Sequence, residues 1–159
     1  MSSQGENRPS QEGVVGRHVA KKRLLTSVQT RQQHIANIAQ RHTNSPLTTL
    51  SHNMDMLWMY EAFARVRKDG ALGVDNVSAE DYAQNLDANL ADLLERAKSG
   101  RYRCPPTRRV EIPKNGNENR PINIPTFEDK VLQRAISMLI EPICETDFLD
   151  VSYGFRPKR

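Results

Sequence analysis

Residues 108–125 read RRVEIPKNGNENRPINIP, and the alternation within this stretch decides the fold. Arg108, Val110 and Ile112 alternate with Arg109 and Glu111, while Ile122 and Ile124 alternate with Asn123, the period of two that a half-covered strand requires. Asn115 and Gly116 between the two runs supply turn chemistry, so the stretch predicts a β-hairpin. Pro121 has no amide hydrogen to give to a ladder and predicts an edge strand or a bulge where it falls.

Helical patterns surround this hairpin. Downstream, Thr126 and Asp129 form a capping pair ahead of Leu132, Ala135, Ile136, Leu139 and Ile143, which recur at three- and four-residue steps. Pro142 lies near the end of that pattern and is expected to kink or restart the helix. Upstream, Ser78 with Asp81 caps a helix whose stripe is Tyr82, Leu86, Leu90, Leu93 and Ala97, closed by Arg96, Lys98 and Gly100. An earlier stripe of Met56, Met59, Tyr60, Phe63 and Val66 predicts a further helix, ended by Lys68, Asp69 and Gly70. Between these two helices, Gly73 suits a turn with positive φ and Asp75 a local cap. The fold class is therefore α+β, with helices packed around a small antiparallel β-hairpin.

Composition bounds the size of the core. With 37% hydrophobic and 6% aromatic residues in 159, the chain supports one modest domain with a polar tail. No run approaches the roughly 20 apolar residues of a membrane span, and Met1 to Ser10 lack the apolar stretch of a secretory signal. A soluble cytoplasmic protein without a membrane partner is the expectation. Cys104 and Cys144 match neither a zinc motif nor a disulfide framework and read as reduced thiols. His18, His34, His42 and His52 contain no tight ligand pair, so no metal site is expected.

The formal charge of +4 is unevenly spread. Residues 1–50 hold seven Lys/Arg against two acids, residues 51–99 five against nine, and residues 101–120 six against two. Two basic regions flank an acidic helical one, a layout that points to a polyanion held at two places, with solvated surface charge as the plain alternative. Residues 1–16 have too little apolar content to offset the entropy of ordering and are expected to be disordered. From Arg17 to Arg41, the cluster Lys21, Lys22, Arg23 precedes a loose helical pattern of Leu24, Leu25, Val28, Ile35 and Ile38 that needs a surface to dock on. The chain divides into a flexible basic N-terminal extension at 1–50, a helical part at 51–105, and the hairpin with its following helix at 106–159.

The order of short motifs carries a resemblance. A helix is followed by Gly73-Val74-Asp75, a capped helix, Ser99-Gly100-Arg101-Tyr102, the Arg108-Arg109 strand and Ile112-Pro113-Lys114. Arg120-Pro121-Ile122-Asn123-Ile124-Pro125, the Asp129 helix, Glu141-Pro142 and Ser152-Tyr153-Gly154-Phe155-Arg156-Pro157 complete the series. Over about residues 54–159 this order resembles the opening of group II intron reverse transcriptases.

The resemblance implies the fingers of a right-hand RNA-directed DNA polymerase and maturase, truncated before the palm. In that family palm aspartates hold two divalent metals, Mg2+ in the intact enzyme, for attack by the primer 3′-hydroxyl. Those aspartates and the Tyr-x-Asp-Asp motif follow the Ser-Tyr-Gly-Phe-Arg-Pro motif at a distance. They are expected beyond Arg159, so this chain alone is expected to be inactive and to bind no metal, with a palm and thumb chain encoded downstream as a candidate partner.

Lys114 and Arg120 match the family positions that reach the triphosphate of the incoming deoxynucleotide; two solvated turn charges are the plain alternative. Arg101, Arg108 and Arg109 match positions near the template or intron RNA backbone, although an arginine beside a strand also shields apolar neighbours. Ile124 and Pro125, with Ile122, resemble the segment that packs over the templating base, with ordinary core packing as the alternative for Ile122. Tyr153, Gly154, Phe155 and Arg156 match a segment that in intact enzymes runs into the palm and supports the site, and are expected to hang unsupported here. The implied function is binding of RNA template and nucleotide triphosphate; the rival readings are a stand-alone RNA-binding module and an inactive remnant.

Overall fold

The structure, a computed structural model, describes residues 27–41, 47–114, 119–149, 151–154 and 156. Among these, five α-helices and one two-stranded antiparallel sheet follow in the order α1 (27–41), α2 (Met56–Arg65), α3 (Ala79–Gln84), α4 (Leu86–Lys98), β1 (Arg108–Pro113), β2 (Asn119–Ile124) and α5 (Phe127–Asp147), with a single 3-10 turn at Ser51–Asn53 before α2. The class is α+β, as the patterns predicted.

The core is helical, and the hairpin lies outside it. α5 buries Phe127, Val131, Leu132, Ala135, Met138 and Leu139, a spacing of three and four that lines one flank of the helix. Trp58 and Met59 of α2 and Leu90 and Leu93 of α4 are fully buried in the same cluster. Phe127 also meets Phe63 edge-on at 5.9 Å and Tyr82 at 5.4 Å between ring centroids, a geometry that adds to simple area burial. The strands, by contrast, are exposed at every position except Arg108 and Ile124. A two-stranded ribbon with so few apolar side chains cannot serve as the centre about which helices pack, which corrects the expected arrangement.

Local sequence explains most helix ends. Asp55 caps α2 by accepting the Trp58 amide at 2.9 Å. Ser78 and Asp81 form the full capping box on α3, each side chain holding the other residue's amide. Thr126 caps α5 by accepting the Asp129 amide. Gly100, at φ 70°, ends the run beyond α4, where a left-handed backbone suits a residue without Cβ.

Three expectations change. The helix predicted from Ser78 to Lys98 is broken at Asn85 (φ −123°, ψ 43°). The Tyr82 carbonyl is taken instead by the Asn89 side chain at 2.8 Å, a competition typical of asparagine. Gly73 does not have positive φ; Asn76 does, at 55°. Glycine is required at 73 for space, because a Cβ there would stand 2.6 Å from the Thr126 Cα and 2.9 Å from the Pro125 carbonyl oxygen. Asp75 does bond locally, accepting the Val77 amide at 3.3 Å.

Pro142 does not interrupt α5, which runs on to Asp147. Proline removes the amide that would bond to the carbonyl four residues earlier, here Met138. Gln32 of α1 donates its side-chain amide to that carbonyl at 3.0 Å. α1 thus packs where α5 has an unclaimed acceptor, with Val28, Ile35 and Ala39 buried beside it. Arg31 adds a 2.7 Å ion pair to the α2 cap Asp55. The basic cluster Lys21–Arg23 and the first sixteen residues lie outside the described residues.

Gln32→Ala strands the Met138 carbonyl and is expected to cost about 1–2 kcal/mol. Gly73→Ala forces the loop away from the α5 cap and is expected to cost about 1–3 kcal/mol. Urea unfolding midpoints check both, against an exposed control such as Gln84→Ala.

Candidate nucleic-acid interface

The hairpin register fixes which side chains share a face. Arg108 pairs with Ile124, Val110 with Ile122, and Ile112 with Arg120, while Arg109, Glu111 and Pro113 pair with Asn123, Pro121 and Asn119. Since directly paired residues project to the same side, one face carries Arg108, Val110, Ile112, Arg120, Ile122 and Ile124. The other carries Arg109, Glu111, Pro113, Asn119, Pro121 and Asn123.

The first face is unusual for a small exposed sheet. Val110 is 36%, Ile112 46% and Ile122 37% exposed, so an apolar strip faces solvent between Arg108 at one end and Arg120 at the other. Lys114 follows Ile112 at the next same-face position of the alternation, just past the end of β1, and is exposed. Residues 115–118 of the connecting turn lie outside the described residues. The Arg108 Nε is buried and meets no hydrogen-bond partner. Pro121 is accommodated because each strand of a two-stranded sheet is an edge.

The three arginines grouped by the sequence do not form one cluster. Arg108 and Arg109 are turned to opposite faces by the pleat. Arg109 faces Glu111 at 3.5 Å, and Glu111 also accepts the Asn119 side chain at 3.3 Å. Arg101 lies before the strand, paired with Glu95 and donating from Nε to the Ser99 hydroxyl at 3.0 Å. Both ion pairs are more than half exposed, so each adds little stability and gives way easily to a competing anion. Ile124 and Pro125 stand at the base of the hairpin, half-buried.

That base is tied to the helical core. Tyr102 donates its hydroxyl to the buried Asp129 carboxylate at 3.0 Å, and Gln133 donates to the other carboxylate oxygen at 2.6 Å. Burial first, then the Asp129 hydrogen bond and charge, push the Tyr102 hydroxyl well above its ordinary titration range. Arg96 bridges Glu128 at 2.8 Å and Asp92 at 2.7 Å, with its guanidinium 5.5 Å from the Tyr102 ring centroid. β1 is thus reached through a segment pinned to the first turn of α5, and β2 runs directly into that turn.

Sequence reasoning missed one anchor. Arg156 is expected to hang unsupported, yet it is 9% exposed and holds both oxygens of Glu145, at 3.2 and 2.9 Å. It also donates to the carbonyls of Leu149 at 3.0 Å and Ser152 at 2.8 Å, and lies 5.1 Å from the Phe148 ring centroid. Nothing in the local pattern marks Arg156 except its place in the Ser-Tyr-Gly-Phe-Arg-Pro motif. Among the described residues no group of three or more His, Cys, Asp or Glu could hold a metal ion. No described helix is long and apolar enough to cross a membrane.

No family model matches the chain. It is 45% identical over 87 residues to protein YkfC of Escherichia coli, a match covering 55% of this chain and 23% of the relative. It is 42% identical over 74 residues to the group II intron-encoded protein LtrA of Lactococcus lactis, covering 46% of this chain and 12% of the relative. The chain is related to the group II intron-encoded proteins. A longer match, 26% identical over 124 residues and 76% of this chain, joins it to the COX1/OXI3 intron 1 protein of Saccharomyces cerevisiae, covering 14% of that protein. The chain therefore spans less than a quarter of each of these intron-encoded and other relatives.

Arg156→Gln is expected to destabilise the protein by about 2 kcal/mol, since the buried guanidinium satisfies a carboxylate and two carbonyls together. Arg101→Gln, which removes an exposed ion pair and an exposed hydrogen bond to Ser99, is expected to cost less than about 0.5 kcal/mol. Urea midpoints at unchanged slope measure the contrast.

Proposed function

We propose that this chain is the fingers part of an RNA-directed DNA polymerase and maturase related to the intron-encoded proteins, and that it binds intron or template RNA through the hairpin. Lys114 and Arg120 grip the triphosphate of an incoming deoxynucleotide. Arg108, Arg109 and Arg101 hold backbone phosphates, and Ile124 and Pro125, with Ile122, cover the templating base. The acidic residues that would hold Mg2+ and drive nucleotidyl transfer come from outside residues 1–159.

One observation carries this reading: cations stand at both ends of a solvent-exposed apolar strip on a single hairpin face. Exposed Val110, Ile112 and Ile122 suit contact with the apolar faces of bases. Flanking cations suit phosphate, Arg120 through a planar fork and Lys114 as a point charge. The pairing of Arg101 and Arg109 with exposed acids fits a surface in which RNA phosphate displaces weak internal partners.

Lys114→Ala and Arg120→Ala are each expected to weaken binding of a deoxynucleoside triphosphate by roughly five- to tenfold while changing RNA affinity by less than about threefold. Arg109→Gln is expected to do the reverse and to lower the slope of log affinity against log salt by about one unit. Fluorescence titration with labelled RNA and labelled triphosphate measures all three. Equal losses for both ligands in each variant, or none, would overturn the division of roles.

A further inference from the structure

A second group of cations lies away from the hairpin. The loop leaving α2 and one flank of α5 enclose an open cleft of about 340 Å3, with Arg67 and Gly70 on one side and Lys130, Gln133, Arg134 and Ser137 on the other. The four α5 residues follow at i, i+3, i+4 and i+7, the spacing of a single helical face. None of the residues lining the cleft is acidic, and none is aromatic.

Each cation is held in a way that leaves it able to meet an anion. Lys130 donates to the Ala71 carbonyl at 2.7 Å, which fixes the loop wall opposite α5. An ammonium has three donors, and this contact uses one of them. Arg134 pairs with Glu141 through one terminal nitrogen at 2.9 Å, while its buried Nε meets no hydrogen-bond partner. Arg67 is 80% exposed and pairs with Asp69, two residues along, at 2.5 Å. That exposed pair is easily exchanged for a competing anion. At Gly70, a Cβ would meet nothing closer than the Lys130 Nζ at 3.9 Å, so the cleft is open there.

We propose that this cleft holds a backbone phosphate of the bound RNA, as a second anchor separate from the hairpin. The proposal rests on the reading of the chain as an RNA-binding protein. Its chemistry selects phosphate over base: three cations and the neutral donors of Gln133 and Ser137 surround the space, with no ring on which a base could stack. Contact there would strengthen binding without reading sequence.

The test uses the full chain with a structured RNA, titrated at several salt concentrations, and compares Arg67→Gln and Gly70→Asp with the hairpin variant Arg109→Gln. Gly70→Asp adds a carboxylate to the cleft and removes no contact, and its backbone is not in the left-handed region, so loss of folding does not obscure it. Each cleft variant is expected to lower RNA affinity by about three- to tenfold, and Arg67→Gln to reduce the salt slope by about one unit. Combined with Arg109→Gln the losses should multiply, as for separate sites. Triphosphate affinity should stay unchanged.

Native-like RNA binding by both cleft variants would overturn the proposal; if Arg109→Gln still weakens binding, the hairpin reading survives that failure. Loss in the cleft variants alone would support the cleft and remove the hairpin. A parallel titration with inorganic phosphate distinguishes a small-anion pocket. If the cleft variants lose phosphate affinity while binding RNA normally, the RNA anchor is wrong.

Discussion

The Trp58 side chain is buried completely against α5, and its indole N–H donates to the Ala135 carbonyl at 2.9 Å. This contact joins α2 to the middle of α5. A large aromatic with a single polar atom can be buried deeply only when that atom finds a partner, and here the partner is the backbone itself. The position and rotation of α5 are therefore set by α2. Everything at either end of α5 inherits its placement from that joint, including the hairpin, the pinned 99–107 segment and the Arg156 clasp.

α5 works as a scaffold because its irregularities are satisfied by other elements. Pro142 deprives the Met138 carbonyl of its helical donor, and Gln32 supplies one from α1. At the opposite end, the Thr126 cap is approached so closely by Gly73 that no side chain fits between them. Asp129, one turn into the helix, is buried with Tyr102 and Gln133 as its donors. Buried polar groups of this kind favour a unique arrangement, because each would be costly if left alone. The result is a rigid helical base carrying an exposed ribbon, a division suited to a surface that must present charged groups in fixed positions.

Much of this was legible in the residues. The hairpin followed from alternation at Arg108–Ile112 and Ile122–Ile124, and the helix starts from Ser78–Asp81 and Thr126–Asp129, because these signals are local. What stayed hidden depended on partners distant in sequence. Pro142 reads as a break unless Gln32, 106 residues away, is known to take the carbonyl it frees. Gly73 reads as a turn residue because closeness to Thr126 has no local signature. The break at Asn85 was masked by a good stripe on both sides, and the side-chain bond from Asn89 to Tyr82 cannot be read from periodicity. For the candidate interface, Arg108, Arg109 and Arg101 were visible as a basic run, but the pleat and the exposed acids divide them. Arg156 looked like the end of a motif and is instead among the most buried charged residues described.

Amide hydrogen exchange of the full chain, with and without saturating structured RNA, tests the central claim most directly: a rigid α5 scaffold presents the hairpin to nucleic acid. The account predicts that amides of Val131 to Leu139 exchange slowest in both states, while those of Val110, Ile112 and Ile122 exchange quickly alone and slow markedly when RNA is bound. Fast exchange across α5 in the unbound protein, or hairpin amides untouched by saturating RNA, would contradict it.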